Sequence, residues 1–212
     1  MGDTLRVSLV ARMACLYPAS DSGPVIQTAA FAEVGKAPQV PGPLIRAPVG
    51  ATIRAAVRND LADTLLVMGQ RLTRVVVING WINADFTRFV LMMNGKSWPF
   101  TEHLAFNIGD TLRMRVINAA DGDIGDHPMH LHGFCFQVDS RGTWQSDTLF
   151  APRHRRLVVT EMLRPTETLS VPWLPTRPGN WLFHCHDSFH TNGRQHDYLA
   201  GRDSVRHDWL WG

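Results

Sequence analysis

The stretch Asn180-Trp181-Leu182-Phe183-His184-Cys185-His186-Asp187-Ser188-Phe189-His190 places one thiol between two imidazoles. It follows a Pro178-Gly179 turn and its approach is apolar, so Trp181 to His186 reads as a strand whose side chains alternate between two faces. Cys185 then shares a face with Trp181 and Phe183, which turns the sulfur toward a dry interior. His184 and His186 take the opposite face, so one strand can serve two metal sites. A second cluster, His127-Pro128-Met129-His130-Leu131-His132-Gly133, repeats the His-x-His spacing and offers matching ligands from a neighbouring strand. Packing alone does not ask for so many metal-capable side chains in two short segments.

Outward from these clusters the chain reads as strands. Short apolar runs bounded by Gly and Pro fall at Leu5 to Val10, Val25 to Phe31, Leu44 to Ala47 and Thr52 to Val57. From Arg74 the pattern restarts with Val75 to Ile78, Phe89 to Met93, His103 to Ile108, Leu112 to Ile117, Leu131 to Val138, Leu157 to Thr160, Leu169 to Leu174 and Trp181 to His186. No convincing long helical stretch interrupts them, which argues for an all-β sandwich or barrel and against an α/β fold. In the Leu131 to Val138 run, Leu131 is out of phase with Phe134, Phe136 and Val138. A bulge at Gly133 would turn all four inward and leave His130 and His132 on the other face.

A weak internal repeat links the two halves. Gly50 to Asn59 matches Gly109 to Asn118 at Gly50, Thr52, Arg54, Val57 and Asn59. The continuation aligns Leu66 and Met68 with His130 and His132, so the first copy lacks the imidazoles and its Leu66 and Met68 read as core filling. The division expected is a partial unit without metal ligands over 1-73, a complete metal-binding domain over 74-200, and a tail over 201-212.

With 212 residues, 44% of them hydrophobic, the chain can build one good core or two small ones. A formal charge of +2 without a basic run gives no footprint for nucleic acid or a membrane surface. No apolar stretch approaches the roughly 20 residues needed to span a bilayer. The start shows no basic segment followed by a long apolar run, so no secretory signal is read and the location stays open. Cys15 and Cys135 are expected to be free thiols, with Cys135 buried and inert. His103, His154, His196 and His207 lack ligand spacing and read as surface or hydrogen-bonded histidines, Met92 and Met93 as core, and Asp147 as a turn residue or a group that orients an imidazole or meets a substrate.

One Cys and two His with a distant weak fourth ligand form the trigonal arrangement that suits copper in electron transfer. Cys185, His190 and His127 fit it, and Gln195 is the available oxygen donor for the fourth position. The remaining His130, His132, His184 and His186 suit several metals, so a zinc or cupin-like site is a competing reading.

His127 to Gly133 taken with His184 to His190 resembles the last domain of multicopper oxidases, the laccase-like family. The likeness extends over about residues 74 to 195 and includes Met93-Asn94-Gly95-Lys96-Ser97-Trp98-Pro99, while Val40 to Asn59 looks like the start of the family's first domain. It implies cupredoxin-like Greek-key folds, one complete and one partial. It further implies that His127, Cys185 and His190 bind a type 1 copper, with Gln195 axial, and that His130, His132, His184 and His186 are half the ligands of a type 2/type 3 trinuclear cluster that reduces dioxygen. Cys185 with His184 and His186 would carry electrons between the two. The implied protein is an oxidoreductase that takes one electron at a time from a small phenolic or metal-ion reductant. The family would also suggest a periplasmic or extracellular location. Three departures stand out: the first-domain segment breaks off near Met68, Asp187 replaces the usual aliphatic residue, and Gln195 holds the axial position. The first leaves four cluster histidines missing, so dioxygen reduction would need a partner chain, and a homo-oligomer is one way to supply it. The alternative is a non-catalytic copper-binding electron-transfer module.

Overall fold

The computed structural model describes residues 3–19, 25–40, 42–48, 50–63, 74–82, 89–120, 125–143, 145–187 and 190. Fourteen strands and one short 3-10 turn make up the regular structure of these residues. Strands β1 (Thr4–Leu16), β2 (Ile26–Glu33) and β3 (Thr52–Asn59) form one sheet in the order β2-β1-β3. A six-stranded sheet has the order β10-β9-β13-β6-β4-β5, built from β4 (Arg74–Ile82), β5 (Phe89–Met93), β6 (Leu112–Asn118), β9 (Ser140–Thr143), β10 (Asp147–Leu149) and β13 (Glu167–Trp173). Facing it are β12-β7-β14, with β7 (His127–Leu131), β12 (Thr160–Leu163) and β14 (Phe183–Cys185), and the pair β11-β8, with β8 (Phe136–Val138) and β11 (Arg156–Val158).

The two layers are held by one apolar core. Ile78, Met114, Val116, Leu169 and Val171 from the large sheet meet Met129, Leu131, Phe136, Val138 and Leu163 from the other, and Cys185 belongs to the same cluster. Each fully buried aliphatic or aromatic side chain here is worth about 1.5–3 kcal/mol of transfer free energy. The alternation that produces this is plain in β6, where Leu112, Met114 and Val116 point inward. Arg115, on the opposite face, is nonetheless buried beneath the β9–β10 hairpin, donating to Ser140 Oγ at 2.9 Å, Asp147 Oδ2 at 2.8 Å and Thr168 Oγ1 at 2.5 Å. That network pairs both terminal nitrogens of an otherwise costly buried cation and leaves its Nε without a partner.

The repeated segment occupies equivalent places. β3 runs parallel to β1 and β6 runs parallel to β4, while β2 and β5 pair antiparallel with β1 and β4. The order β2-β1-β3 is thus reproduced by β5-β4-β6. In the first unit β3 is exposed along nearly its whole length, whereas β6 is covered. Leu66 and Met68 lie outside the described residues, as do Gln195, His196, His207 and the tail. Among the described residues, no helix is long and apolar enough to cross a membrane.

Several expected strands differ. Leu44 to Ala47 and His103 to Ile108 are irregular, Leu44 and Ile108 are exposed at 64% and 59%, and among the described residues no strand pairs with either run. The Leu131 to Val138 run breaks into β7 and β8: Gly133 adopts φ +77°, and the chain bends instead of bulging within one ladder. The consequence for the side chains is as expected, since Leu131, Phe136 and Val138 are buried and Phe134 packs against the core. Cys135 is exposed, not buried, and Cys15 and Cys135 are both free. Asp147 serves Arg115 and Ser140 and orients no imidazole.

Candidate metal centre

β7 and β14 are neighbours, with Met129 opposite Cys185, His130 opposite His184 and Leu131 opposite Phe183. Directly paired residues share a face, so the two-residue period sorts the ligands. His127, Met129, Leu131 and Cys185 point into the sandwich, where each is at most 2% exposed. His130 and His184 point out of it, alongside His132 and His186, which are exposed. The sorting expected from Trp181 to His186 therefore holds, although only Phe183–Cys185 is regular strand.

On the inner side the chain turns after Asp187, whose carbonyl accepts from the His190 N–H at 3.1 Å, and this brings His190 back beside Cys185. Nδ1 of His190 lies 3.3 Å from the Cys185 sulfur, and the rings of His127 and His190 are 4.7 Å apart. One ligand atom from each of His127, Cys185 and His190 lies within 4.8 Å of the others, and all three residues are buried. Burial, reinforced by the neighbouring His190 and opposed by Asp187, pulls the His127 imidazole down to about 4. Burial also pushes the Cys185 thiol up to about 12, against the Asp187 backbone N–H that favours the thiolate. The dry pocket thus keeps both imidazoles neutral and ready to donate lone pairs, and a bound cation would supply the charge that makes the thiolate favourable. Two neutral imidazoles and one thiolate form a soft, trigonal donor set that copper fits.

The outer side is organised by hydrogen bonds. The His184 Nδ1–H donates to the Cys185 carbonyl at 2.5 Å; a carbonyl only accepts, so Nε2 of His184 carries the lone pair. His130 Nδ1 lies 2.7 Å from the Thr160 hydroxyl, and the Val159 carbonyl acts on the same ring. Nε2 of His132 lies 2.9 Å from Nε2 of His184, and ligand atoms of His130, His132 and His184 gather within 4.8 Å. His186 stacks on His184 at 6.0 Å and stands edge-on to His130 at 4.9 Å. Burial and the neighbouring imidazoles lower the pKa of His130; burial lowers that of His184, against its bond to the Cys185 carbonyl.

Sequence reasoning missed the supports of this arrangement. By sequence Thr160 is a strand end, yet the β12–β7 register sets it directly opposite His130. Gly133 and Gly179 make room for Trp181: a methyl group on either would meet the indole at 2.1 Å or 2.5 Å. His103 and His154 are exposed, as expected.

An all-β sandwich with a buried Cys and two His between its layers defines a cupredoxin-type metal-binding protein. Residues 70–194 match the family model described as multicopper oxidase. The chain belongs to the multicopper oxidase family, whose cofactor is copper. Its relatives include the iron transport multicopper oxidase fio1 of Schizosaccharomyces pombe, 32% identical over 100 residues, and the putative laccase-5 of Oryza sativa subsp. japonica, 35% identical over 97 residues. These alignments cover 43% and 41% of this chain but 15% and 16% of the relatives, so the chain spans a small part of them. Among solved structures, the multicopper oxidase mgLAC superposes with a TM-score of 0.60 at 17% identity, covering 88% of this chain and 81% of that one. A copper nitrite reductase from Nitrosomonas europaea gives 0.55 at 12% identity, over 99% of this chain and 98% of its own. Both likenesses speak for the fold.

Proposed function

We propose that the chain is a copper oxidoreductase of the multicopper oxidase type, taking electrons one at a time from a reducing substrate through a type 1 copper held by His127, Cys185 and His190. The observation that carries this reading is the convergence of those three buried ligands within 4.8 Å. Bound there, copper supplies a one-electron acceptor. The protein's part is to keep the donor set dry and fixed: Met129 sits opposite Cys185 in the ladder, and Phe183 backs it from the core. Cys185 also joins the two faces, because its own carbonyl accepts the His184 N–H and its chain neighbours are His184 and His186. This is the shortest covalent route from the inner set to the outer one. Gln195 remains our proposal for the fourth ligand, and the division into 1-73, 74-200 and 201-212 remains our proposal for the domains.

His130, His132, His184 and His186 then form half of a trinuclear cluster, and dioxygen reduction requires the other half to come from beyond these 212 residues, for which we propose a partner chain. The non-catalytic electron-transfer module is the second reading. It is favoured by the fact that, among the described residues, only these two groups gather metal-ligating side chains. A small phenol or a metal ion is the reductant we propose. Copper loading tests the core of the proposal: the loaded protein should show the intense visible absorption of a copper thiolate, and Cys185→Ser should lose it. A colourless copper protein, or a coloured serine variant, would overturn the assignment.

A further inference from the structure

A cavity of about 800 Å³ opens between the two layers at the end of β14 away from Cys185. Its walls include Trp98, Phe106, Trp173 and Trp181, and its inner limit is the facing pair Leu131 and Phe183. None of the proposed copper ligands lines it. A volume of this size, walled by flat rings, matches the usual dimensions of a small-molecule site.

The rim carries a fixed cation. The Arg177 guanidinium lies over the rings of Phe134 and Trp181 at 5.1 Å and 4.9 Å and donates to the Gly133 carbonyl at 2.9 Å. Those contacts hold the group in one place without neutralising it, and no carboxylate among the described residues pairs with it. The other arginine of the lining, Arg74, is already bound to Glu102. The rim therefore presents one excess positive charge, with N–H donors to spare, beside an aromatic chamber. A guanidinium fork recognises a carboxylate through two parallel hydrogen bonds, and its entropic cost is low when the fork is already stacked in position.

We infer that this cavity binds a planar aromatic carboxylate, its rings between the tryptophan walls and its carboxylate on Arg177. The site is independent of copper, and its occupant would rest against Phe183, two residues from Cys185.

Calorimetric titration of the full chain with 2-naphthoate is expected to show saturable binding at one site per chain. The neutral amide of the same shape, 2-naphthamide, should bind about tenfold more weakly, since it loses the charge-assisted pair. Arg177→Gln should bring the acid down to the affinity of the amide and leave the amide unchanged. Because Arg177 also stacks on Trp181, a second variant keeps the test open should that one not fold: Ala105→Trp, placed on the irregular lining segment, should obstruct the chamber and abolish binding of both compounds. Absence of saturable naphthoate binding, equal affinity for acid and amide, or binding that survives Ala105→Trp would each overturn the inference.

Discussion

The hydroxyl of Thr160 lies 2.7 Å from Nδ1 of His130, across a ladder that sets the two residues directly opposite each other. Thr160 therefore helps to fix which ring nitrogen of His130 faces the outer imidazole cluster, as hydrogen-bonded partners of metal-ligating histidines generally do. Thr160→Val keeps the branched shape and removes the hydroxyl. In a Cys185→Ser, His127→Ala background, which dismantles the inner set, chelator competition should show copper affinity of the outer face reduced about tenfold. Thr160→Ser should restore it. Equal affinity in all three would mean that the Val159 carbonyl alone orients the ring.

Acid should destabilise the metal-free protein through His127. Its folded pKa of about 4 lies below that of an unfolded histidine, near 6.5, so the unfolded chain binds the extra proton between these values. The associated stability is fully present above about pH 6.5 and is lost as pH falls through about 4, amounting to about 3 kcal/mol. On the alkaline side, Cys185 works in the opposite direction, since its thiol is pushed up to about 12 and the unfolded chain ionises first above about 9. Urea midpoints measured from pH 4 to 10 should trace a plateau between about 6.5 and 9. His127→Phe should flatten the acid limb, and an unchanged limb would assign it to other groups.

Gly133→Ala should unseat Trp181. The position has φ +77°, where a side chain costs about 1–2 kcal/mol, and the added carbon would lie 2.1 Å from the indole. Trp181 packs edge-on against Phe134 and carries Arg177 on its face, so the disturbance spreads through that stack. Thermal unfolding should reveal a loss of at least about 2 kcal/mol. A variant of native stability would show that Trp181 can retreat without cost.

Much of this was legible in the residues because metal ligands and strand period reinforce each other. The positions of His127, His130, His184 and Cys185 on two faces follow from alternation once β7 and β14 are placed side by side. What was not legible depends on partners distant in sequence. Nothing local tells Thr160 that it will face His130, or Arg115 that the β9–β10 hairpin will bury it. The apolar segment His103 to Ile108 reads as a strand from its own composition. Strand formation also needs a ladder neighbour, and among the described residues none pairs with it. Gly133 marks the change of phase in the sequence, but a ladder break and a bulge satisfy the same constraint, and sequence does not choose between them.

The exposed imidazole face makes a last prediction about assembly. His132 and His186 are open to solvent and His130 and His184 half-buried, so a second chain can approach all four. A two-fold interface sets the same patch against itself, and two such patches would bring together eight imidazoles, the number that the family resemblance implies for a trinuclear cluster. If the cluster forms this way, a dimer with two blue sites and one shared cluster carries about 2.5 coppers per chain, whereas an isolated blue site gives about one. Copper analysis on a sample of known native mass separates these outcomes. His132→Ala should then dissociate the dimer and lower the copper content while leaving the blue absorption intact, because that residue lies on the face away from Cys185. A monomer with one copper per chain and no oxygen uptake would sink the shared cluster and leave the electron-transfer module as the function of the chain.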